Sequence, residues 1–213
     1  MKNQIRVASI REWMDEKGMA AMLLASPNNQ FYVSNYKAII YSRPLFYVLG
    51  KSETAFIVPG LEEKHARSLA SVDQLFVYYE HPEMAHKGTE PVDLLMSYLG
   101  KPEAGAKLGI EFNTIPIKLA KALEAAGWEL VDVASEMLQR RTIKDETELH
   151  WMRYAGKLVS NAVRASLSAV QPGVSELEVD DRGRKALLLE AAEQYPKANV
   201  FLNAITPSGL ERS

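Results

Sequence analysis

The sequence predicts an α/β fold with a mixed sheet, on three observations. Short continuous apolar or β-branched runs such as Met19–Ala25, Thr54–Val58 and Lys107–Glu111 are bounded by turn residues and read as strands. Segments with helical spacing lie between them, so strands and helices alternate over roughly the first 130 residues. Beyond Val133 the alternation gives way to a helical pattern that runs as far as Ala192. The shift places a domain boundary between Val133 and Ile143. Residues 1–133 form the first domain, and residues 134–213 a linker and the start of a second.

In order, Ile5–Lys17 has helical periodicity, with Ile5, Ile10, Trp13 and Met14 on one side and Gly18 as its stop. Met19–Ala25 is a buried strand that ends in the turn Ser26-Pro27-Asn28-Asn29. Phe31–Tyr36 is aromatic and β-branched and reads as a strand. Tyr41–Leu49 and Thr54–Val58 follow as strands, joined by the hairpin turn Gly50-Lys51-Ser52-Glu53. Leu61–Leu69 is a helix and Leu75–Tyr79 a strand; Pro91–Tyr98 is a helix with proline suited to its first turn. Lys107–Glu111 is a strand, Ile115–Ala126 a helix stopped by Gly127, and Glu129–Val133 a strand. After the long helical region, Val200–Ile205 is a further strand-like run.

Composition narrows the function classes. At 213 residues, with 47% hydrophobic and 24% charged residues and a net charge of −2, the chain has the balance of an ordinary globular protein. No basic cluster suggests nucleic acid, and no apolar run approaches the length that spans a membrane. Zero cysteines exclude a disulfide framework, a thiol nucleophile and a thiolate metal site. Met1–Arg6 lacks the apolar core of a signal peptide, so the cytoplasm is the expected compartment. There is no Gly-x-Ser-x-Gly elbow and no phosphate loop.

The most informative stretch runs from Arg140 to Glu178. Asp145 is placed to cap a helix, and Glu148 completes a capping box. Apolar residues recur at Leu149, Met152, Ala155, Leu158, Val159, Ala162, Val163 and Leu167. Pro172-Gly173 ends that helix, and Ser175 with Glu178 opens another. An Arg-x-Ile-Lys-x-x-x-Glu entry, a helix of this length and a Pro-Gly-x-x-Glu turn resemble the opening of the metal-dependent half of the creatinase, prolidase and aminopeptidase P family. The first domain is similar to the same family's N-terminal domain. Pro27–Tyr36 resembles its Asn-x-x-Tyr segment with Asn35 in place of the usual glycine, and Gly109-Ile110-Glu111 resembles its Gly-x-Glu strand end. The resemblance implies a creatinase/prolidase-type N-terminal α/β domain followed by the first helices of a pita-bread domain.

It further implies a hydrolase that cleaves a C–N bond in a small substrate, an Xaa-Pro peptide or a creatine-like compound. Divalent metal ions (Mn, Co or Zn) would be held by two aspartates, a histidine and two glutamates downstream of the Pro-Gly turn. Pro207–Ser213 resembles a strand end that precedes those ligands, so this segment is expected to bind no metal and to be inactive alone. The residues agree: His65, His81, His86 and His150 form no His-x-x-x-His or His-Glu-x-x-His pattern, and the carboxylate runs read as helix caps. In creatinase-type members an aromatic residue and an arginine two apart reach into the partner subunit's active site. Tyr41 and Arg43 stand at the matching positions, and Arg43 is the expected contact for a substrate carboxylate. The plainer alternative is an edge-strand arginine beside a half-buried tyrosine, with Pro44 marking the edge. A homodimer is expected, both from this segment and from the apolar stripe of the long helix. The competing function is a non-catalytic binding or oligomerisation module without a metal site.

Overall fold

The computed structural model describes residues 2–38, 42–81, 83, 90–198 and 200. Tyr41, His86, the rest of the Val200–Ile205 run beyond Val200, and Pro207–Ser213 lie outside the described residues. The chain divides into two compact units, Met1–Thr142 and Ile143–Ser213.

In the first unit, α1 (Lys2–Glu16) buries Val7, Ile10 and Met14, three and four positions apart on one face. Ile5 does not join them: it stands five positions before Ile10, about 140° round the helix, and is 70% exposed. Gly18, at φ +68°, closes α1 by donating its N–H to the Asp15 carbonyl. β1 (Met19–Leu24) then runs through the middle of the sheet.

The next element corrects the sequence reading. Ser26–Tyr36 is not a turn and a strand: Pro27–Ser34 is a helix, α2. Ser26 caps it by accepting the Asn29 N–H, Pro27 occupies its first turn, and Asn35 ends it in the left-handed region at φ 57°. Three good terminal signals outweigh the weak strand preference of Phe31, Tyr32 and Val33. β2 (Phe46–Gly50) also starts later than Tyr41, and residues 42–45 are not strand. The Leu45 carbonyl accepts from the side chain of Gln30 and the Pro44 carbonyl from the Tyr78 hydroxyl.

β3 (Thr54–Pro59) pairs antiparallel with β2 through the Gly50–Glu53 turn, where the Gly50 N–H meets the Glu53 carbonyl at 2.9 Å. A 3-10 turn (Gly60–Glu62) leads into α3 (Glu63–Leu69), then β4 (Gln74–Tyr78) and α4 (Pro91–Leu99). β5 (Lys107–Ile110), α5 (Ile117–Ala125), β6 (Glu129–Asp132) and α6 (Ala134–Thr142) complete the unit. The sheet has the order β4-β3-β2-β1-β5-β6. β1–β2 and β2–β3 are antiparallel, while β3–β4, β1–β5 and β5–β6 are parallel, so the sheet is mixed as predicted. Alternation along each strand separates two cores. Met22, Leu24, Tyr47 and Phe56 pack with α1, α2 and α6, the last through Met137. Leu23, Val48 and Ile57 pack on the other face with Leu95 of α4 and Leu119 and Leu123 of α5.

The second unit is built on α7 (Glu146–Ala169) and α8 (Glu176–Gln194). Both predicted capping boxes are present, Asp145 with Glu148 and Ser175 with Glu178. The backbone hydrogen bond from Ser175 to the Glu178 carboxylate, then that of its hydroxyl, holds Glu178 below its ordinary pKa. The helices approach closely at Gly183, where an added Cβ would run into the Ser166 hydroxyl and stand 3.0 Å from the Ala162 carbonyl oxygen. Leu158, Leu187 and Ala191 form the buried centre of this pair. Of the apolar positions predicted for α7, only Leu158 is buried; Met152, Val159, Val163 and Leu167 are 50–66% exposed.

Candidate functional site

Arg43 lies in the short segment between α2 and β2, on the rim of a cavity of about 680 Å³. The cavity opens at the carboxyl ends of β1 and the neighbouring parallel strand β5, where open α/β sheets commonly place ligands. Leu45, Phe46, Val92 and Leu119 supply apolar wall, and Arg43, Glu90, Asp93 and Lys118 bring charge of both signs. Such a lining, mostly apolar with a few charged groups, suits a small ligand.

Side-chain hydrogen bonds hold residues 42–45. The Tyr78 hydroxyl donates to the Pro44 carbonyl at 2.9 Å, and burial pushes the Tyr78 phenol well above its ordinary pKa, so it stays a donor. The Arg43 Nε donates to the Glu80 carboxylate, and its Nη1 reaches the Ser42 hydroxyl at 3.3 Å. That hydrogen bond and the charge of Glu80 raise the Arg43 pKa further above its already high value. The pair is open to water, with side-chain exposures of 38% and 51%. Such a pair is weak and screened by salt, so Arg43 can exchange the Glu80 carboxylate for another at little cost.

At the start of α2 is a buried polar framework whose pairings the sequence spacing did not reveal. Glu111, 1% exposed, stands just past β5 and accepts from the backbone N–H of Ala25 at 2.6 Å and of Ser26 at 2.9 Å. Its other oxygen accepts from the Asn29 side-chain amide at 2.6 Å, and the Asn29 carbonyl oxygen accepts from Arg141 at 3.0 Å. A carboxylate at the start of α2 also complements the helix dipole. Gln30, equally buried, donates to the carbonyls of Leu24 at 3.1 Å and Leu45 at 2.7 Å, tying the end of β1 to the start of β2. Tyr36 donates to the buried Glu62 carboxylate. Asn29 and Glu111 thus hold the start of α2 to the ends of β1 and β5, while Gln30 and Tyr78 are the side chains that bond to residues 44 and 45. The resemblance marks the segments that carry Asn29, Tyr36 and Glu111, but nothing local in the sequence says which of these polar residues pair with which.

The structure brings Arg43 to the cavity; Tyr41 lies outside the described residues. Of the described histidines of the first unit, His65 and His81, neither lines the cavity. His65 lies against the Tyr36 ring with Nε2 3.2 Å from the Lys37 carbonyl oxygen, His81 is exposed, and His150 of the second unit is 3.3 Å from the Tyr195 hydroxyl. Among the described residues, no group of three or more His, Cys, Asp or Glu side chains is arranged to hold a metal ion. Among the same residues no helix is long and apolar enough to cross a membrane.

Residues 6–143 match the Creatinase/Prolidase N-terminal domain family. The chain is 26% identical over 178 residues to a protein of Bacillus subtilis (strain 168) named as a dipeptidase, YkvY, covering 82% of this chain and 47% of that one. It is 24% identical over 201 residues to the creatinase of Bacillus sp. (strain B-0618), covering 92% and 47%. The chain therefore spans about half the length of the curated relatives it matches. Among solved structures, the fold resembles the prolidase from Pyrococcus horikoshii OT3 with a TM-score of 0.69 at 22% identity, over 86% of this chain and 48% of that one. It also resembles the recombinant prolidase from Thermococcus sibiricus, with a TM-score of 0.73 at 18% identity over 89% and 50%. At these identities the structural likeness establishes the fold alone.

Proposed function

The chain belongs to the creatinase/prolidase N-terminal domain family, and on that premise we propose that it is the amino-terminal portion of a cytoplasmic, homodimeric, metal-dependent hydrolase. Its substrate class is a small molecule with a C–N bond to cleave and a free carboxylate, an Xaa-Pro dipeptide or a creatine-like compound. Divalent metal (Mn, Co or Zn) belongs to the longer protein in this reading. In the same reading the role of this portion is binding and orientation.

The observation that carries the proposal is Arg43 on the rim of the mixed-lining cavity, in a solvent-exposed pair with Glu80. A substrate carboxylate takes the place of Glu80 on the planar guanidinium and gains a second, parallel N–H···O bond. Tyr41 stands two positions before it and supplies the neighbouring aromatic contact. The test is steady-state kinetics of the longer, dimeric protein on an Xaa-Pro dipeptide. Arg43→Ala is expected to raise KM on the order of tenfold with a smaller effect on kcat, the mark of lost ground-state binding. Arg43→Lys is expected to recover only part of the loss, because a point charge does not reproduce the fork. Unchanged KM in both variants, with the dimer intact by sedimentation, would reduce Arg43 to an ordinary surface residue.

A further inference from the structure

We propose that Glu80 is a built-in competitor for the carboxylate that Arg43 binds, and that its return to the guanidinium expels the product. This rests on Arg43 as the carboxylate contact and assigns a role to the group that occupies Arg43 beforehand.

The chain leaving β4 grips the Arg43 segment twice. Side chains alternate along a strand, and the alternation carried past Tyr78 puts Tyr78 and Glu80 on one side and Tyr79 on the other. The hydrogen bonds follow that pattern. Tyr79 donates to the Glu63 carboxylate at 2.6 Å, while Tyr78 and Glu80 bond to the adjacent residues Pro44 and Arg43. The two grips differ in kind. Tyr78 is buried, and its hydroxyl joins the Pro44 carbonyl as a neutral donor, a bond that salt leaves alone. The Arg43–Glu80 pair is open to water, where salt and other anions compete for it. The main chain is fixed, and the side chain next to it is left exchangeable.

Glu80 meets Arg43 at Nε, through one carboxylate oxygen. A planar guanidinium can take a carboxylate through two parallel N–H···O bonds, which is the stronger arrangement. A ligand carboxylate therefore displaces Glu80, but gains only the difference between the two contacts. Nearby charge acts in the same direction. Among the described residues, Glu80, Glu90 and Asp93 bring three negative charges to this rim against the two positive charges of Arg43 and Lys118.

Release of product gives the competitor its use. When an Xaa-Pro dipeptide is hydrolysed, the carboxylate stays on the proline product. An arginine with no competitor would hold that product through the same contact as the substrate. Glu80 is tethered two residues beyond the Tyr78 bond, so it stands at high effective concentration beside the guanidinium and takes it back.

Kinetics of the longer protein on alanyl-proline, with free proline as inhibitor, test this. Glu80→Gln is expected to lower both the KM for the dipeptide and the inhibition constant of proline by about two- to fivefold, the worth of an exposed ion pair. Alanyl-prolinamide, which offers no carboxylate, should change less, and Glu80→Asp should return both constants towards wild type. In the wild type one carboxylate replaces another, so salt screens both contacts alike. In Glu80→Gln a new ion pair forms, and KM should climb more steeply with salt. The gain should vanish in an Arg43→Ala background. The exchange itself is read on the 213-residue chain by following the Arg43 Nε–H resonance as acetate is added, which should respond at lower acetate in Glu80→Gln. A KM raised by Arg43→Ala but unmoved by Glu80→Gln overturns the competitor and leaves the Arg43 contact standing. A KM unmoved by Arg43→Ala overturns the contact, and the role of Glu80 in release falls with it. A Glu80→Gln gain that persists without Arg43, or an acetate response equal in both chains, overturns the exchange.

Discussion

Glu111→Ala is expected to destabilise the first unit by about 3–5 kcal/mol, because it strips the acceptor from three donors at once, one of them buried and two partly buried. The N–H groups of Ala25 and Ser26 and the amide of Asn29 all end on this one carboxylate, and it is 1% exposed. The favourable charge at the start of α2 is lost with it. Glu111→Gln should recover only part, since one oxygen becomes an NH₂ group that faces donors. Urea unfolding checks this: the midpoint should fall with the slope unchanged. A loss under about 1 kcal/mol for Glu111→Ala would mean that water replaces the carboxylate and that this framework adds little to the unit.

The second large effect is expected at Gly109, in the middle of β5. A Cβ there would stand 2.7 Å from the Val133 Cγ1 and 2.9 Å from the Met19 sulfur. The methionine can move, but the valine is β-branched, stiff at χ1 and buried in the same core as Met137. Gly109→Ala should therefore cost about 2–3 kcal/mol by overpacking, and Gly109→Val more. The cause is local enough to be tested by a double-mutant cycle. Val133→Ala should restore part of the stability lost in Gly109→Ala, giving a coupling of about 1 kcal/mol or more. Additive effects would show that the strand, not this contact, demands glycine.

Much of the fold was legible because strong local signals agreed with the tertiary structure. β1, β3, β4 and β5 are short apolar runs between turn residues, and both long helices carry full capping boxes. α2 was misread although Ser26, Pro27 and Asn35 are its start and stop signals. Its aromatic and valine residues suggested a strand, yet Val33 and Tyr36 are buried by packing against α1 and the sheet. Ile5 was assigned to the buried face of α1 by its chemistry rather than its angle, and solvent takes it. The site was less legible. Arg43 could be singled out by resemblance, but its tie to Glu80 and the anchoring of Pro44 by Tyr78 span dozens of residues. The Glu111–Asn29 contact bridges 82 positions, and no periodicity encodes such a pair.

On this account the first unit is a scaffold. A mixed sheet, with Gln30 and Tyr78 bonded to the Leu45 and Pro44 carbonyls, sets an exposed arginine at a cavity rim, where we propose that it gives up a weak surface partner for a substrate carboxylate. The bond-breaking groups are assigned to the longer protein. Hydrolysis of an Xaa-Pro dipeptide in the presence of Mn²⁺ or Co²⁺, measured side by side for the 213-residue chain and for the longer protein that contains it, is the most direct test. The account predicts turnover by the longer protein, and no turnover with only weak metal binding by the 213-residue chain. Tight stoichiometric metal binding with dipeptide turnover by the short chain alone would contradict it.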